Sequence, residues 1–456
     1  MDRMTKQSHS PRAWHGLWIA APIFLLMAVL QPQPAFGQDA TWAEDVAPII
    51  YASCVGCHQP EGVAPMSLLD YETARLYSPL VKVKVETRQM PPWHIDKDVG
   101  IQSFKNDISL SDEEIRTVVQ WVDAGAPQGD MSKAPPVPVM PPATEWRLAA
   151  QFGPPDLIIK SMPFDVPASG LDNWWPHQVE VEGLDGPRWV MANETKPSPL
   201  GKRVVHHANS SLITEDGRGG FSNYGIGKPF DIFPENTGRL IQPGNSLSFN
   251  IHYYPNGVAI EDDVVEIGLW FYPEGEEPRF ATVGDVSWSS QRQLGSTEGR
   301  GRGLTVQQVV LPPHGRAVTQ GFHVLQENTR LHSCRGHMHL RGAAQSMEAI
   351  FPDGHLEILC KVNWNGEWHI NYLFEDDVMP LLPKGTVLIL TAWYDNTAAN
   401  PVNPDPDQWV IFGRRSADEM SHMWIGTSYL SDEDFEYLKA QRKQRLALLE
   451  EQGGGG

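Results

Sequence analysis

From residue 156 to residue 430 the chain is a succession of short β-type runs cut by turn residues, with no long helical pattern. The runs 178–182, 204–213, 246–254, 264–272, 321–325, 346–351, 387–394 and 409–412 carry the β-branched and aromatic residues. Turn residues lie between them, which predicts β-sandwich architecture. A stretch of about 275 residues exceeds what one sandwich needs, so two are expected, 156–300 and 301–430. The break is expected in the Gly-rich stretch 295–303. The 40 glycines and 38 prolines among 456 residues fit a turn-rich body.

The N-terminus reads as a secretory signal over residues 1–37. Arg3, Lys6 and Arg12 supply the positive end, 16–30 is a short apolar stretch, and Ala35-Phe36-Gly37 is a cleavage site. The body is then periplasmic or secreted, in an oxidising compartment. Membrane contact is expected only if this segment stays attached as an anchor. The formal charge of -20 speaks against a nucleic-acid partner and against an anionic lipid surface. Of four cysteines, Cys54 and Cys57 share one motif. Cys334 and Cys360 remain as an expected disulfide, with a reduced buried pair as the alternative.

Residues 38–130 read as a small helical unit. Residues 41–52 have helical spacing. Ser111 caps a second helix, Glu114 completes a capping box, and Gly125 ends the helix. Inside this unit lies Cys54-Val55-Gly56-Cys57-His58. Two thiols at this spacing can each add to a haem vinyl group while the adjacent His reaches the iron. One covalent haem c is therefore expected, on Cys54, Cys57 and His58. A zinc knuckle would need a second ligand pair nearby, and none follows; a thioredoxin-like redox pair is the other alternative. Met90 is the expected sixth ligand, stiffened by Pro91 and Pro92, with Met66 and His94 as rivals. The unit resembles a small class I-type cytochrome c over about 90 residues. Residues 131–155 are Pro-rich and read as a linker. A last helix begins at Ser431, within 431–456, and ends in a Gly tail.

Four further motifs follow in order: His206-His207, then His252-Tyr253, then His337-Met338-His339, then Glu419-Met420. On a regular strand His337 and His339 share a face and can grip one metal ion. His206 and His207 would point to opposite faces unless the backbone kinks. Trp174 and Trp175 line a cleft or pack in a core. His177, His314, His323, His332, His355 and His369 read as structural or surface residues, and Met423 is the rival to Met420.

This order of motifs resembles the copper type II monooxygenases, the family of peptidylglycine α-hydroxylating and dopamine β-monooxygenases. The resemblance implies two jelly-roll sandwiches with a copper on each. His206, His207 and His252 would hold an electron-storage copper; His337, His339 and Met420 would form the catalytic site where oxygen reacts. Two imidazoles and a thioether suit Cu(I), and a Met ligand argues against zinc. Arg335 matches an Arg of the peptide-hydroxylating enzymes. Where they carry Asn and Tyr to hold a peptide carboxylate, this chain has His422 and Trp424. Ala208 and Asn250 depart from the usual Met and Gln.

The expected fold class is thus a small α-helical cytochrome c domain followed by two all-β jelly-roll sandwiches. The expected function is hydroxylation of a C–H bond in a small-molecule substrate with O2. Electrons would come from a periplasmic donor through the haem. The alternatives are a non-enzymatic haem and copper electron carrier or copper-binding protein, and a scaffold that has lost its copper.

Overall fold

The structure, a computed structural model, describes residues 40–60, 62–140, 142, 144–215, 217–225, 228, 230–289, 309–413 and 415–453. The expected signal segment 1–37 and the Gly-rich stretch 295–303 lie outside the described residues. Among the described residues no helix is long and apolar enough to cross a membrane.

The N-terminal segment is helical. Thr41 caps a π-helical turn, Trp42–Val46, that runs into the helix Ala47–Ser53. The helix Asp112–Asp123 starts with the capping box: the Glu114 N–H donates to Ser111 Oγ, and the Glu114 carboxylate accepts the Ser111 N–H. Between them lies a helix not foreseen, Tyr71–Glu86, capped by Asp70. It buries Ala74, Ser78, Val81 and Val85 at helical spacing. Small and polar members of that stripe, and Pro79 inside the helix, hide it in the sequence. Trp42 and Trp121, each 1% exposed, sit 5.8 Å apart at the centre.

Residues 38–130 do not close into one unit, contrary to expectation. After Pro92 the chain crosses to the second sandwich. Ile95–Gly100 pairs as an edge strand with Leu356–Asn363. Trp93 and Phe104 enter that sandwich's core, with the Trp93 ring 4.9 Å from the ring of Tyr372. The Asn106 side chain bonds the Asn371 carbonyl and the Leu373 N–H. The chain rejoins the helical core at Leu110. An edge strand with one wet face needs few apolar residues, so Ile-Asp-Lys-Asp-Val-Gly passes as loop in the sequence. The linker 131–155 is also not free throughout. Trp146 and Leu148 pack on Ala192 and Trp270, and the N–H groups of Arg147 and Leu148 donate to the buried Glu194 carboxylate.

The body is β-rich. In the first sandwich one sheet runs Asn173–Glu180, Ser246–Tyr253, Val205–Thr214, Gly217–Gly225. The facing sheet runs Phe280–Ala281, Thr237–Ile241, Arg188–Pro197, Val265–Phe271, Leu157–Lys160. Val190, Leu212, Phe249, Ile251 and Ile267 fill the gap, each 1% exposed or less. In the second sandwich one sheet runs Ile95–Gly100, Leu356–Asn363, Gly342–Ile350, Val387–Asp395, Arg316–Val324. Its partner runs Gly284–Ser289, Ser421–Leu430, Asn328–Met338, Tyr372–Leu373. Because Gly284–Ser289 pairs with Ser421–Leu430, the change of sandwich falls at residues 282–283 and not at residue 300. The C-terminal helix Asp432–Gly453 docks on the body through Phe435, against Phe280 and Leu430.

The two sandwiches meet along Gly217–Gly225 and Gly284–Ser289. A Cβ on Gly220 would lie 2.6 Å from the Asp285 carbonyl oxygen, so only glycine permits this approach. Arg335 reaches across to Asn223 and pairs with Asp285, at 3.2 Å from its carboxylate. Cys334 and Cys360 stand in facing sheets of the second sandwich, fully buried. Their sulfurs are 3.1 Å apart, so the two expected partners meet in the core.

Trp93 is the bolt between the helical segment and the second sandwich. Trp93→Ala is expected to cost about 3–5 kcal/mol in urea denaturation and to open 93–110 to limited proteolysis. A loss under about 1 kcal/mol with unchanged cleavage would show that this docking contributes little.

Candidate metal centre

His207 and His252 face each other in register on paired strands. The next pair in the ladder is Val205 with Tyr253, so His206 is the extra residue of a β-bulge. The bulge is the kink that the dyad requires, and it turns His206 toward its neighbour. The ring centroids of His206, His207 and His252 are 5.3, 5.3 and 4.9 Å apart. Imidazole nitrogens about 2.0–2.1 Å from one ion put the rings about 5 Å apart. His252 Nδ1 lies 3.3 Å from His207 Nε2, close to the edge of a tetrahedron around such an ion. These three residues form a group that can hold a metal ion. The outer nitrogen of His252, Nε2, contacts the Asp172 carboxylate at 2.9 Å. Trp174, 39% exposed, stacks on the His252 ring at 4.3 Å. A carboxylate behind a ligand imidazole fixes its tautomer and orientation. Trp175 instead packs with Phe164 and His177.

The second group forms where Asn328–Met338 ends beside Ser421–Leu430. The His337 ring lies 5.4 Å from His339, 4.6 Å from His422 and 5.4 Å from Trp424. His337 Nδ1 is buried with no hydrogen-bond partner. A buried orphan of this kind calls for an unseen partner such as a metal ion. His339 Nδ1 faces the Asp418 carbonyl at 3.2 Å, a contact that orients the ring. Met420 comes alongside through Glu419. One Glu419 carboxylate oxygen accepts the N–H groups of both His339 and Met420, and the other accepts that of Arg341. Burial pushes the Glu419 carboxyl up to about 7 against the pull of these donors. Met423, the rival, is 1% exposed in the core of the second sandwich.

His369, read as a structural or surface residue, stands beside both histidine groups. It stands in the loop after Leu356–Asn363, 7% exposed. Its ring is 5.8 and 5.7 Å from His206 and His207, and 5.3 Å from His337. The two groups therefore share one seam between the sandwiches. No sequence spacing announces His369, because the seam brings it there. The other histidines of that set lie elsewhere: His314 pairs with Asp407, His355 with Asp353 and Glu357, and His323 stacks on Trp288. His332 is buried in the second sandwich, and His177 Nε2 accepts the Met162 N–H.

Arg335 is engaged in the seam. Its guanidinium bonds Asn223 and Asp285 and lies 4.4 Å over the Trp424 ring. It is not free to bind a carboxylate, which agrees with the loss of the Asn and Tyr positions to His422 and Trp424.

The Cys54-to-His58 motif forms one helical turn, with the N–H groups of Cys57 and His58 donating to the Cys54 carbonyl. His58 Nδ1 faces the Met66 carbonyl at 3.2 Å, leaving Nε2 available. Met90 is half-buried after the helix Tyr71–Glu86. His94 lies further on, where its carbonyl accepts the Asn363 N–H. Burial pushes the Cys54 thiol up to about 12, so the pair is not poised as a reactive thiolate.

No family model matches this chain, and no curated protein does. Among solved structures, an 11S allergen from Cocos nucifera L. is similar at 11% identity, covering 57% of this chain and 81% of that one, with a TM-score of 0.14. An oxalate decarboxylase from Bacillus subtilis is similar at 8% identity, covering 59% and 79%, with a TM-score of 0.13. At these TM-scores neither likeness bears on the fold or the site.

Burial, helped by neighbouring imidazoles and Arg335, holds His207 and His337 well below the usual histidine range and His369 and His422 down to about 3. At neutral pH these rings are therefore neutral. Between pH 6.5 and about 3 the metal-free unfolded chain takes up protons that the folded chain refuses. Stability is present above pH 6.5 and falls with acid, by about 1.4 kcal/mol per pH unit for each such ring. Denaturation of metal-free protein across this range checks it; a flat profile would contradict the neutral, buried cluster. Glu419→Gln sets an NH2 group against backbone donors and is expected to cost about 1–3 kcal/mol.

Proposed function

We propose that the chain is a copper-dependent monooxygenase that hydroxylates a C–H bond of a small organic molecule with O2. Electrons would enter through a c-type haem on Cys54, Cys57 and His58, with Met90 as the sixth ligand. The observation that carries this reading is the convergence of two histidine groups on one seam, with His337 Nδ1 left without a partner.

His206, His207 and His252 would hold one copper; His337, His339 and Met420 would hold the other. Copper in these donor sets supplies one-electron redox and dioxygen chemistry that no side chain offers. The rest is the work of the chain. Asp172 and Trp174 orient His252. Glu419 holds the backbones of His339 and Met420 together. Trp364 and Trp424 flank His337 and reduce the water around it. With Arg335 paired, the walls offer no free guanidinium at that place, which favours a neutral substrate over a peptide carboxylate. The Met66 carbonyl orients His58, as an outer partner does for an axial imidazole.

Reconstituted protein is expected to hold two coppers and one haem. Reduced and mixed with oxygen and candidate substrates, it should form a hydroxylated product. Met420→Ala should abolish the product and spare the haem spectrum. Product surviving that change would remove Met420 from the oxygen site. Copper and haem both retained, with no product from any C–H substrate, would leave an electron carrier as the better reading.

A further inference from the structure

The geometry points to His369 as a fourth ligand of the first metal site, supplied by the second sandwich. The inference rests on the metal-binding reading of His206, His207 and His252. Four observations place His369 there. First, its ring stands 5.8 Å from His206 and 5.7 Å from His207, slightly wider than the 4.9–5.3 Å spacing within the triad, so a small inward shift of the ring brings it to an ion held there. Second, it is 7% exposed, yet its ring makes no hydrogen bond to a described residue. Third, the approach is made possible by Gly225, the register partner of His207. A Cβ on Gly225 would lie 3.2 Å from His369 Cβ, so a side chain there would press the loop away. Fourth, the loop is held where it begins. The Asn363 N–H donates to the His94 carbonyl, and the Trp364 Nε1–H donates to the His339 carbonyl at 3.0 Å.

The site then takes three imidazoles from one sandwich and one from the other. A first-row divalent ion, with Cu(II) as the probe, would bind across the seam and tie the sandwiches together. The same ring stacks 5.3 Å from His337, so it also lies between the two metal positions.

The test uses the full chain carrying His339→Ala and Met420→Ala, so that the first site loads alone. Cu(II) is titrated, and the imidazoles on copper are counted by pulsed EPR and X-ray absorption. Four imidazoles are expected. Adding His369→Ala should leave three and weaken Cu(II) about 10- to 100-fold, with added imidazole restoring the four-nitrogen signature. Three imidazoles in both proteins, with equal affinity, would overturn the inference and leave the metal-binding reading standing. No copper bound at all would overturn both. If the His369→Ala chain does not fold, the count in its parent still decides.

Discussion

The ion pair between Arg335 and Asp285, with Asn223 bonded to both, is the constraint on which the site depends. Arg335 is 3% exposed and stands two residues before His337 on the same strand. Asn223 is two residues before Gly225 on the edge strand of the other sandwich. One charged group thus sets the distance between the histidines of the two domains. A buried pair adds little net stability over an apolar substitute, but losing one partner costs about 3–5 kcal/mol. Its value here is positional. It fixes how the sandwiches dock, and the docking brings His369 to His206 and His207.

The same constraint explains what was legible in the sequence. The capping box at Ser111 was readable because caps are local. So were the strands around Val205–Thr214 and Ser246–Tyr253, whose alternation survives in the sequence. The need for a kink at His206 followed from strand geometry alone, and the bulge supplies it. By contrast, Asn328–Met338 is buried at almost every position although it carries two arginines, two histidines and an asparagine. Some of its polar groups find partners in other elements: Arg330 bonds Thr237, and Asn328 bonds Asp432. No window of sequence contains those partners, so the strand hid behind its composition. His369 and the excursion through Trp93 and Phe104 were hidden for the same reason.

The excursion changes the standing of the helical segment. A self-contained module on a Pro-rich tether would sample many orientations. Here Trp93, Ile95 and Phe104 sit inside the second sandwich's core, and Trp146 anchors the linker on the first. The Cys57 thiol feels Arg147, and the buried Tyr224 hydroxyl feels both. Tyr224 pairs in register with Ala208, next to His207. The Cys54-to-His58 turn therefore lies near Arg147 of the anchored linker and Tyr224 of the first sandwich. Under the proposed function this is the arrangement a fixed electron inlet needs, since transfer between centres rewards a constant short separation.

Arg335 finally links architecture to selectivity. A guanidinium two residues from His337 would be a natural clamp for an acidic substrate if it were free. Its two terminal nitrogens are instead bonded to Asn223 and Asp285, and Trp424 covers its face. Freeing it for a ligand would break the seam and pull His369 from His206. The chain cannot both keep its sandwiches docked and offer Arg335 to an anion. What remains around His337 is aromatic and imidazole surface: Trp364, Trp424 and His422. Such walls recognise shape and apolar area, so the price of a rigid two-domain site is the loss of a charged handle on the substrate.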